Sequence, residues 1–262
     1  MSTWWPRLRK VWAIGGSLAL AVWVAWCAIA FQPSALARAA LADSAQVRVR
    51  ATADAWVFEP VTRAANARSL LFFPGGLVDA RAYAPLMQAV AQGGHRAVLV
   101  RTPWRGAFGQ AEAPATLVAA HAITRTLGGP WVVGGHSRGG KAAAAYAQRY
   151  PGDVDALVLV GTSHPRDISL RDAPFAVMQV LGDRDPIASL ARADRNRHRL
   201  PGHTTRRVLH GANHSQFGDY GFQPGDRFAH MPRNAQRAAT AAALHTALAG
   251  GAPSLSPMDA RR

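Results

Sequence analysis

The sequence predicts an α/β protein with a mostly parallel central sheet of about eight strands and helices on both faces. Short apolar runs alternate with amphipathic stretches, and glycine-rich or polar loops follow several of the runs. Some runs are apolar at every position, which is typical of central strands buried on both faces. The chain has 262 residues, so we expect one globular domain.

The predicted elements are assigned from these two kinds of segment. The predicted strands are residues 46–50, 56–59, 70–73, 97–100, 131–134, 156–160, 176–181 and 207–210. The predicted helices are residues 83–92, 112–127, 139–149 and 234–248. In a sheet of this kind, reactive residues belong on the loops at the carboxyl ends of the strands.

The N-terminal part of the chain is predicted to lie outside this domain. Residues 11–31 carry no charge and would span about 30 Å as a helix, which is the thickness of a bilayer core. Arg7, Arg9 and Lys10 precede the run, so residues 1–10 should stay in the cytoplasm. We expect a transmembrane anchor in the inner membrane over 11–31, a linker over 32–45, a periplasmic domain over 46–249 and a flexible tail over 250–262.

A cleaved signal peptide is the alternative for the same segment. Small-residue patterns that a signal peptidase accepts occur at residues 35–37 and 40–42. The apolar core of a signal peptide usually spans about 7–15 residues, and this run is longer. Cleavage would make the protein secreted, and in both cases the domain lies outside the cytoplasm.

The strongly basic charge balance is typical either of proteins with anionic partners or of a basic solvated surface. The formal net charge is +15, from 30 Lys and Arg against 15 Asp and Glu. The favoured interpretation is an arginine-rich solvated surface, because no tight Lys/Arg block occurs. The alternative is contact with anionic lipid, and no nucleic acid is expected outside the cytoplasm. Cys27 is the one cysteine, so no intrachain disulfide or multi-cysteine zinc site can form, and we expect no metal or other cofactor. The most basic stretch contains Arg192, Arg195, Arg197, His198, Arg199, Arg206 and Arg207.

A candidate nucleophile follows the fifth predicted strand. Residues 135–139 have the pattern G-x-S-x-G between a strand and an alanine-rich helix. The sharp turn requires glycines beside Ser137 and lifts its hydroxyl to the N-terminus of the helix, where developing negative charge is stabilised. Ser137 is therefore the predicted nucleophile, and the alternative is a glycine-rich turn without a chemical role.

A candidate acid follows the seventh predicted strand. Asp183 and Asp185 both lie in the loop Gly-Asp-Arg-Asp-Pro. Asp185 stands further into the loop and is stiffened by Pro186, so we predict that Asp185 orients the base and that Asp183 is a turn residue. Asp219 is the alternative acid.

A candidate base follows the eighth predicted strand. His214 lies in the turn-prone sequence Gly-Ala-Asn-His-Ser, where its side chain is free to reach back to the serine. His210 falls within the predicted strand and is the less suitable of the two. The order Ser, Asp, His is the one that this architecture uses for nucleophilic catalysis.

A candidate oxyanion hole follows the third predicted strand. Gly75 and Gly76 in Pro-Gly-Gly-Leu-Val allow close approach of backbone N–H groups to a carbonyl oxygen. The predicted donors are the N–H of Gly76 (or Leu77) and the N–H of Arg138. An ordinary β-turn is the alternative.

Together these motifs resemble the α/β-hydrolase fold family, and the resemblance spans nearly the whole extramembrane part. The nearest likeness is to the lidless bacterial branch that includes dienelactone-hydrolase-like proteins and general esterases. Dienelactone hydrolases use a cysteine where this chain has Ser137, which argues against that reaction. Residues 161–174 are too few for a lid domain, so we expect an open site.

The resemblance implies a serine hydrolase with a Ser137–Asp185–His214 triad that cleaves a carboxylic ester or related acyl bond of a small molecule. A non-catalytic module that binds an anionic envelope or membrane partner is the alternative from a different class.

Overall fold

The computed structural model describes residues 4–250, and its centre is one eight-stranded sheet. The strand order is β1-β2-β4-β3-β5-β6-β7-β8. Pairings from β4 to β8 are parallel, whereas β1 pairs antiparallel with β2 and β2 with β4. The strands are β1 Val47–Ala51, β2 Ala55–Pro60, β3 Ser69–Phe73, β4 Ala97–Val100, β5 Trp131–His136, β6 Ala156–Val160, β7 Ala176–Gly182 and β8 Thr205–Leu209.

This sheet confirms the predicted α/β class and strand number. The central strands β3, β4, β5 and β6 are buried at every position, as their continuous apolar sequences predicted. The edge strands β1 and β8 are less apolar, and each includes two arginines. β8 ends at Leu209, so His210 follows the strand, although the sequence placed it inside.

Helices cover both faces of the sheet. On one face, Leu86 of α3 and Leu244 of α7 belong to one core cluster. On the other face, Leu117 of α4 and Tyr146 of α5 belong to a second cluster. The helices are α1 Trp4–Ala30, α2 Ala35–Ala39, α3 Ala84–Gln92, α4 Pro114–Leu127, α5 Arg138–Arg149, α6 Leu190–Arg195 and α7 Arg233–Leu248. The two-layer covering explains why the buried strands have no polar face.

The N-terminal helix α1 has 27 residues and is long and apolar enough to span a membrane. It contains no buried residue. Phe31, directly after its last turn, is only 5% exposed and belongs to the core of the domain. The segment predicted as a linker contains α2, in which Ala37 is fully buried. Residues 251–262, which make up nearly all of the predicted tail, lie outside the described residues.

Candidate active site

Ser137 lies at the turn between β5 and α5, with φ 54° and ψ −118°. This left-handed backbone is unusual for a serine and requires its surroundings to hold it. A Cβ on Gly135 would approach the carbonyl oxygen of Gly139 to 2.2 Å, and one on Gly139 would approach that of Phe73 to 2.1 Å. Both glycines are therefore needed for the turn that presents the Ser137 hydroxyl.

The structure brings Ser137, His214 and Asp185 together in one hydrogen-bonded chain. His214 Nε2 lies 3.0 Å from Ser137 Oγ, and His214 Nδ1 lies 2.7 Å from Asp185 Oδ2. The carboxylate accepts the Nδ1 proton, which leaves the lone pair of Nε2 directed at the serine hydroxyl. The side chains of His214 and Asp185 are fully buried, so water does not compete for their hydrogen bond.

The loop after β7 holds Asp185 from its other side. Asp185 Oδ1 accepts hydrogen bonds from the backbone N–H groups of Ile187 and Ala188, both at 2.8 Å. These donors fix the carboxylate in the orientation in which its second oxygen meets His214. Asp185 is therefore positioned by its own loop as well as by His214.

The alternative acids and base have other partners. Asp183 accepts from the Gly211 N–H at 2.7 Å and lies 3.0 Å from His210 Nδ1, so it ties two turns together at the surface. The Asp219 carboxylate pairs with Arg237 at 2.8 Å. In the described structure, Asp185 is the candidate acid whose carboxylate contacts His214.

Asp226, which the sequence did not single out, organises the loop of His214. Its carboxylate accepts from the backbone N–H groups of His214 at 3.3 Å and Ser215 at 2.7 Å, and from Ser215 Oγ at 2.6 Å. The two partners lie 11 and 12 residues away. Periodicity and spacing do not reveal such a contact, so nothing in the sequence pointed to it.

The candidate oxyanion donors lie between the loop after β3 and the start of α5. A Cβ on Gly76 would stand 3.2 Å from Arg138 Cβ, so Gly76 lies directly against the first residue of α5. Arg138 is the first residue of α5, where an N–H has no partner within the helix. The Leu77 N–H donates to the Arg105 carbonyl at 2.7 Å, so Leu77 already has a partner and Gly76 is the candidate donor that we retain.

A buried polar pair supports this loop from below. The Tyr83 hydroxyl accepts from the Gly75 N–H at 3.0 Å and shares a hydrogen bond of 2.7 Å with His136 Nδ1. Burial, and then the charge of His214, hold the pKa of His136 well below its ordinary value, so its ring stays neutral. The His136 ring lies beside the His214 ring, with centres 4.5 Å apart and planes tilted by 46°. The pair thus connects the glycine loop to the base.

A cavity of about 230 Å³ opens beside Ser137. Two of its cations, Arg138 and Lys141, contact Glu112 at 3.4 and 3.1 Å. Burial acts to raise the pKa of Glu112, but hydrogen bonds from both cations outweigh it, and the pKa is lowered. Burial, and then the charge of Arg166, lower the pKa of His164 to about 4. The wall consists of Ser137, Arg138, Lys141, Gly161, Thr162, Ser163, His164, Arg166, Ile187 and Ala188.

Five of the wall residues belong to the short segment between β6 and β7 that was predicted to be too small for a lid. In that segment, residues 161–174, the structure assigns neither helix nor strand. Among residues 4–250, no group of three or more His, Cys, Asp or Glu side chains is arranged to hold a metal ion.

Several solved structures share this fold at low sequence identity. Carboxylesterase CesB from Bacillus subtilis is 14% identical with a TM-score of 0.54, and the match covers 82% of this chain and 95% of that one. A bacterial heroin esterase is 18% identical with a TM-score of 0.57, covering 84% and 90% of the two chains. A predicted hydrolase from Thermoplasma acidophilum is 15% identical with a TM-score of 0.57, covering 77% and 98%.

Comparison with curated protein sequences gives no match. The family model described as the alpha/beta hydrolase family matches residues 69–238, a region that contains Ser137, Asp185 and His214. The matched region runs from β3 into α7 and covers more than half of the chain. This protein therefore belongs to the alpha/beta hydrolase family.

Proposed function

We propose that the protein is a serine hydrolase that cleaves a carboxylic ester or a related acyl bond through an acyl-enzyme. The observation that carries the proposal is the 3.0 Å contact between Ser137 Oγ and His214 Nε2, with Asp185 behind the histidine. A serine hydroxyl is a weak nucleophile until a base within hydrogen-bond reach removes its proton.

In the acylation step, His214 Nε2 takes the proton of Ser137 as Oγ attacks the carbonyl carbon of the substrate. The backbone N–H groups of Gly76 and Arg138 donate hydrogen bonds to the oxygen that becomes negative. His214 then gives its proton to the leaving alcohol, and the acyl group stays on Ser137.

In the deacylation step, a water molecule takes the place of the alcohol. His214 removes a proton from this water, which attacks the ester of Ser137, and the same proton returns to Oγ as the acid product leaves. Asp185 stays ionised and stabilises the imidazolium in both steps.

Fluorophosphonate labelling of the full-length protein tests this mechanism. We expect the label on Ser137, because only an activated serine reacts at an appreciable rate. Ser137→Ala should lose both labelling and turnover of a p-nitrophenyl ester, whereas Ser169→Ala, at an exposed serine on the cavity-wall segment, should keep both. A folded protein that labels nowhere would refute the proposal and favour a non-catalytic binding module.

We also propose that α1 stays attached and anchors the domain to the inner membrane from the periplasmic side. Phe31 and Ala37 are buried in the domain, and Gln88 Nε2 donates to the carbonyls of Ala40 and Ala42 at 3.1 Å. Cleavage at either small-residue pattern would remove packed residues. Intact mass of the protein from membranes tests this proposal, and a mature N-terminus after Ala37 or Ala42 would overturn it.

A further inference from the structure

The point at which α1 joins the domain lies at the candidate active site. The Asp79 N–H donates to the Phe31 carbonyl at 3.0 Å, and the Gly221 N–H donates to the Ala30 carbonyl at 2.7 Å. Asp79 follows Gly76 by three residues, at most about 11 Å along the chain. Gly221 lies in the loop after His214. The anchor therefore ends at the carboxyl edge of the sheet, where Ser137 lies.

An aromatic loop projects from the same edge. Pro103–Gly109 follows β4, and its Arg105 carbonyl accepts from Leu77 beside the glycine loop. Trp104 is 79% exposed and Phe108 is 92% exposed, although both are large apolar side chains. Exposed aromatic rings on a rigid support are typical of surfaces that meet a membrane or a partner.

The backbone of this loop is held in an unfavourable conformation that presents those rings. Trp104, Arg105 and Phe108 have φ of 51°, 53° and 51°, in the left-handed region. Each such residue costs about 1 kcal/mol or more relative to ordinary backbone. Arg105 has partners in Leu77 and Asp79, but the exposed rings of Trp104 and Phe108 do not offset the cost by packing in the domain. Contact of the two rings with a partner would supply favourable free energy that offsets this backbone cost.

Positive charge surrounds the base of the loop. A cavity of about 390 Å³ lies between the loop and Asp79. Its lining contains three cations, Arg81, Arg101 and Arg105, and one carboxylate, Asp79. Cations around exposed aromatic rings match the anionic headgroups and the apolar layer of a bilayer surface.

A further aromatic contact involves α1 itself. Trp26 Nε1 of α1 donates to the Phe222 carbonyl at 3.3 Å, and the Phe222 ring stacks on Phe228 with centres 4.9 Å apart. Phe228 is 77% exposed. The end of α1 thus contacts a loop that carries the exposed Phe228 ring.

We propose that Trp104 and Phe108 insert into the leaflet from which α1 emerges, and that the Ser137 cavity takes amphiphilic esters from the lipid–water interface. The inference rests on the proposed hydrolase function and on a retained anchor. It requires no lid, because the loop itself places the cavity at the bilayer surface. The class of substrate is then an ester with an apolar chain that partitions into the membrane.

Depth of insertion is the first test and does not depend on activity. The full chain carrying Cys27→Ala is reconstituted in nanodiscs of phosphatidylethanolamine and phosphatidylglycerol, with a fluorophore on Phe108→Cys or Val61→Cys. Val61 is 55% exposed and follows β2 at the opposite edge of the sheet. We expect doxyl-labelled lipid to quench the residue-108 fluorophore several-fold more than the residue-61 fluorophore. Equal quenching at the two sites would overturn the proposal.

Turnover is the second test, with Trp104→Ser/Phe108→Ser and the control Val61→Ser. We expect the double variant to hydrolyse a bilayer-borne monoacylglycerol about tenfold more slowly, since two aromatic anchors are lost. Its rate on a soluble short-chain p-nitrophenyl ester should stay within about twofold, as for most exposed substitutions. An equal fall on both esters would mean that the loop only supports Leu77, and would overturn the proposal.

The two tests also separate this inference from the proposed function. Strong quenching at residue 108 in a protein that cleaves no ester would support the membrane contact and refute the hydrolase. Turnover of soluble esters without selective quenching would support the hydrolase and refute the membrane contact.

Discussion

Two aspartate–histidine pairs connect the loop after β7 to the loop after β8, and their settings differ sharply. Asp185 lies 2.7 Å from His214, with both side chains fully buried. Asp183 lies 3.0 Å from His210, with side chains 32% and 85% exposed. The two aspartates are two residues apart and the two histidines four, so sequence neighbourhood does not separate the pairs.

The difference shows that the distance between a carboxylate and a histidine does not by itself indicate a role in catalysis. The buried pair meets a third group, the Ser137 hydroxyl, and has two backbone donors behind its carboxylate. The exposed pair meets only the Gly211 N–H and solvent. An exposed ion pair contributes little because water screens it, whereas a buried one holds its geometry.

Replacing each histidine in turn should give the largest difference in kcat between the buried pair and the exposed pair. We expect His214→Ala to lower kcat by about 10⁵-fold or more, because the serine loses its base. His210→Ala should change kcat by less than about twofold, as for a surface substitution. Steady-state turnover of a p-nitrophenyl ester measures both, and similar losses in the two variants would remove the distinction between the pairs.

Replacing the two aspartates should separate the pairs by a smaller factor. Asp185→Asn should lower kcat by about 10⁴-fold, because the amide no longer holds the His214 proton on Nδ1. Asp183→Asn retains an acceptor for Gly211 and should keep nearly full activity. The measurement is kcat with the same ester, and an active Asp185→Asn protein would show that another group orients His214.

Lower pH should weaken the fold through the histidines that are buried. The folded-state pKa of His164 is lowered to about 4, and that of His136 is lowered as well, by burial first. The unfolded chain therefore binds more protons between pH 6.5 and pH 4, so stability falls as pH falls through that window. His164 alone should account for about 2–3 kcal/mol.

Urea unfolding at pH 7 and pH 4.5 measures this effect. His164→Gln should lose less stability between the two pH values than the unmodified protein does. Equal losses would show that His164 titrates normally in the folded state.

The support beneath the site should give the smallest effect. Tyr83→Phe removes the hydroxyl that Gly75 and His136 share, and we expect a loss of about 1–2 kcal/mol in the free energy of unfolding. Turnover should fall only a few-fold, since Gly76 keeps its backbone position beside Arg138. Urea unfolding together with kcat tests both parts, and an unchanged free energy would mean that the hydroxyl contributes nothing to stability.

Local sequence patterns predicted the sheet well because each buried strand is a continuous apolar run bounded by glycine or polar residues. They did not reveal that β4 lies between β2 and β3, since strand order depends on packing between distant elements. The turn around Ser137 was predictable because close backbone contacts demand glycine there. The roles of Asp226 and Tyr83 were not, because their hydrogen bonds reach backbone groups through tertiary folding. Whether Ser137, Asp185 and His214 act in catalysis stays a prediction.

The arginines of the two edge strands affect how copies of this protein can associate with one another. Arg48 and Arg50 lie on β1, and Arg206 and Arg207 lie on β8. An open sheet leaves unpaired N–H and C=O groups along its margins, and strands of another copy can add there. Like charges on both margins oppose such addition. A membrane would confine the molecules to two dimensions and bring their sheet edges together. Part of the large positive charge thereby opposes the joining of these sheets from molecule to molecule.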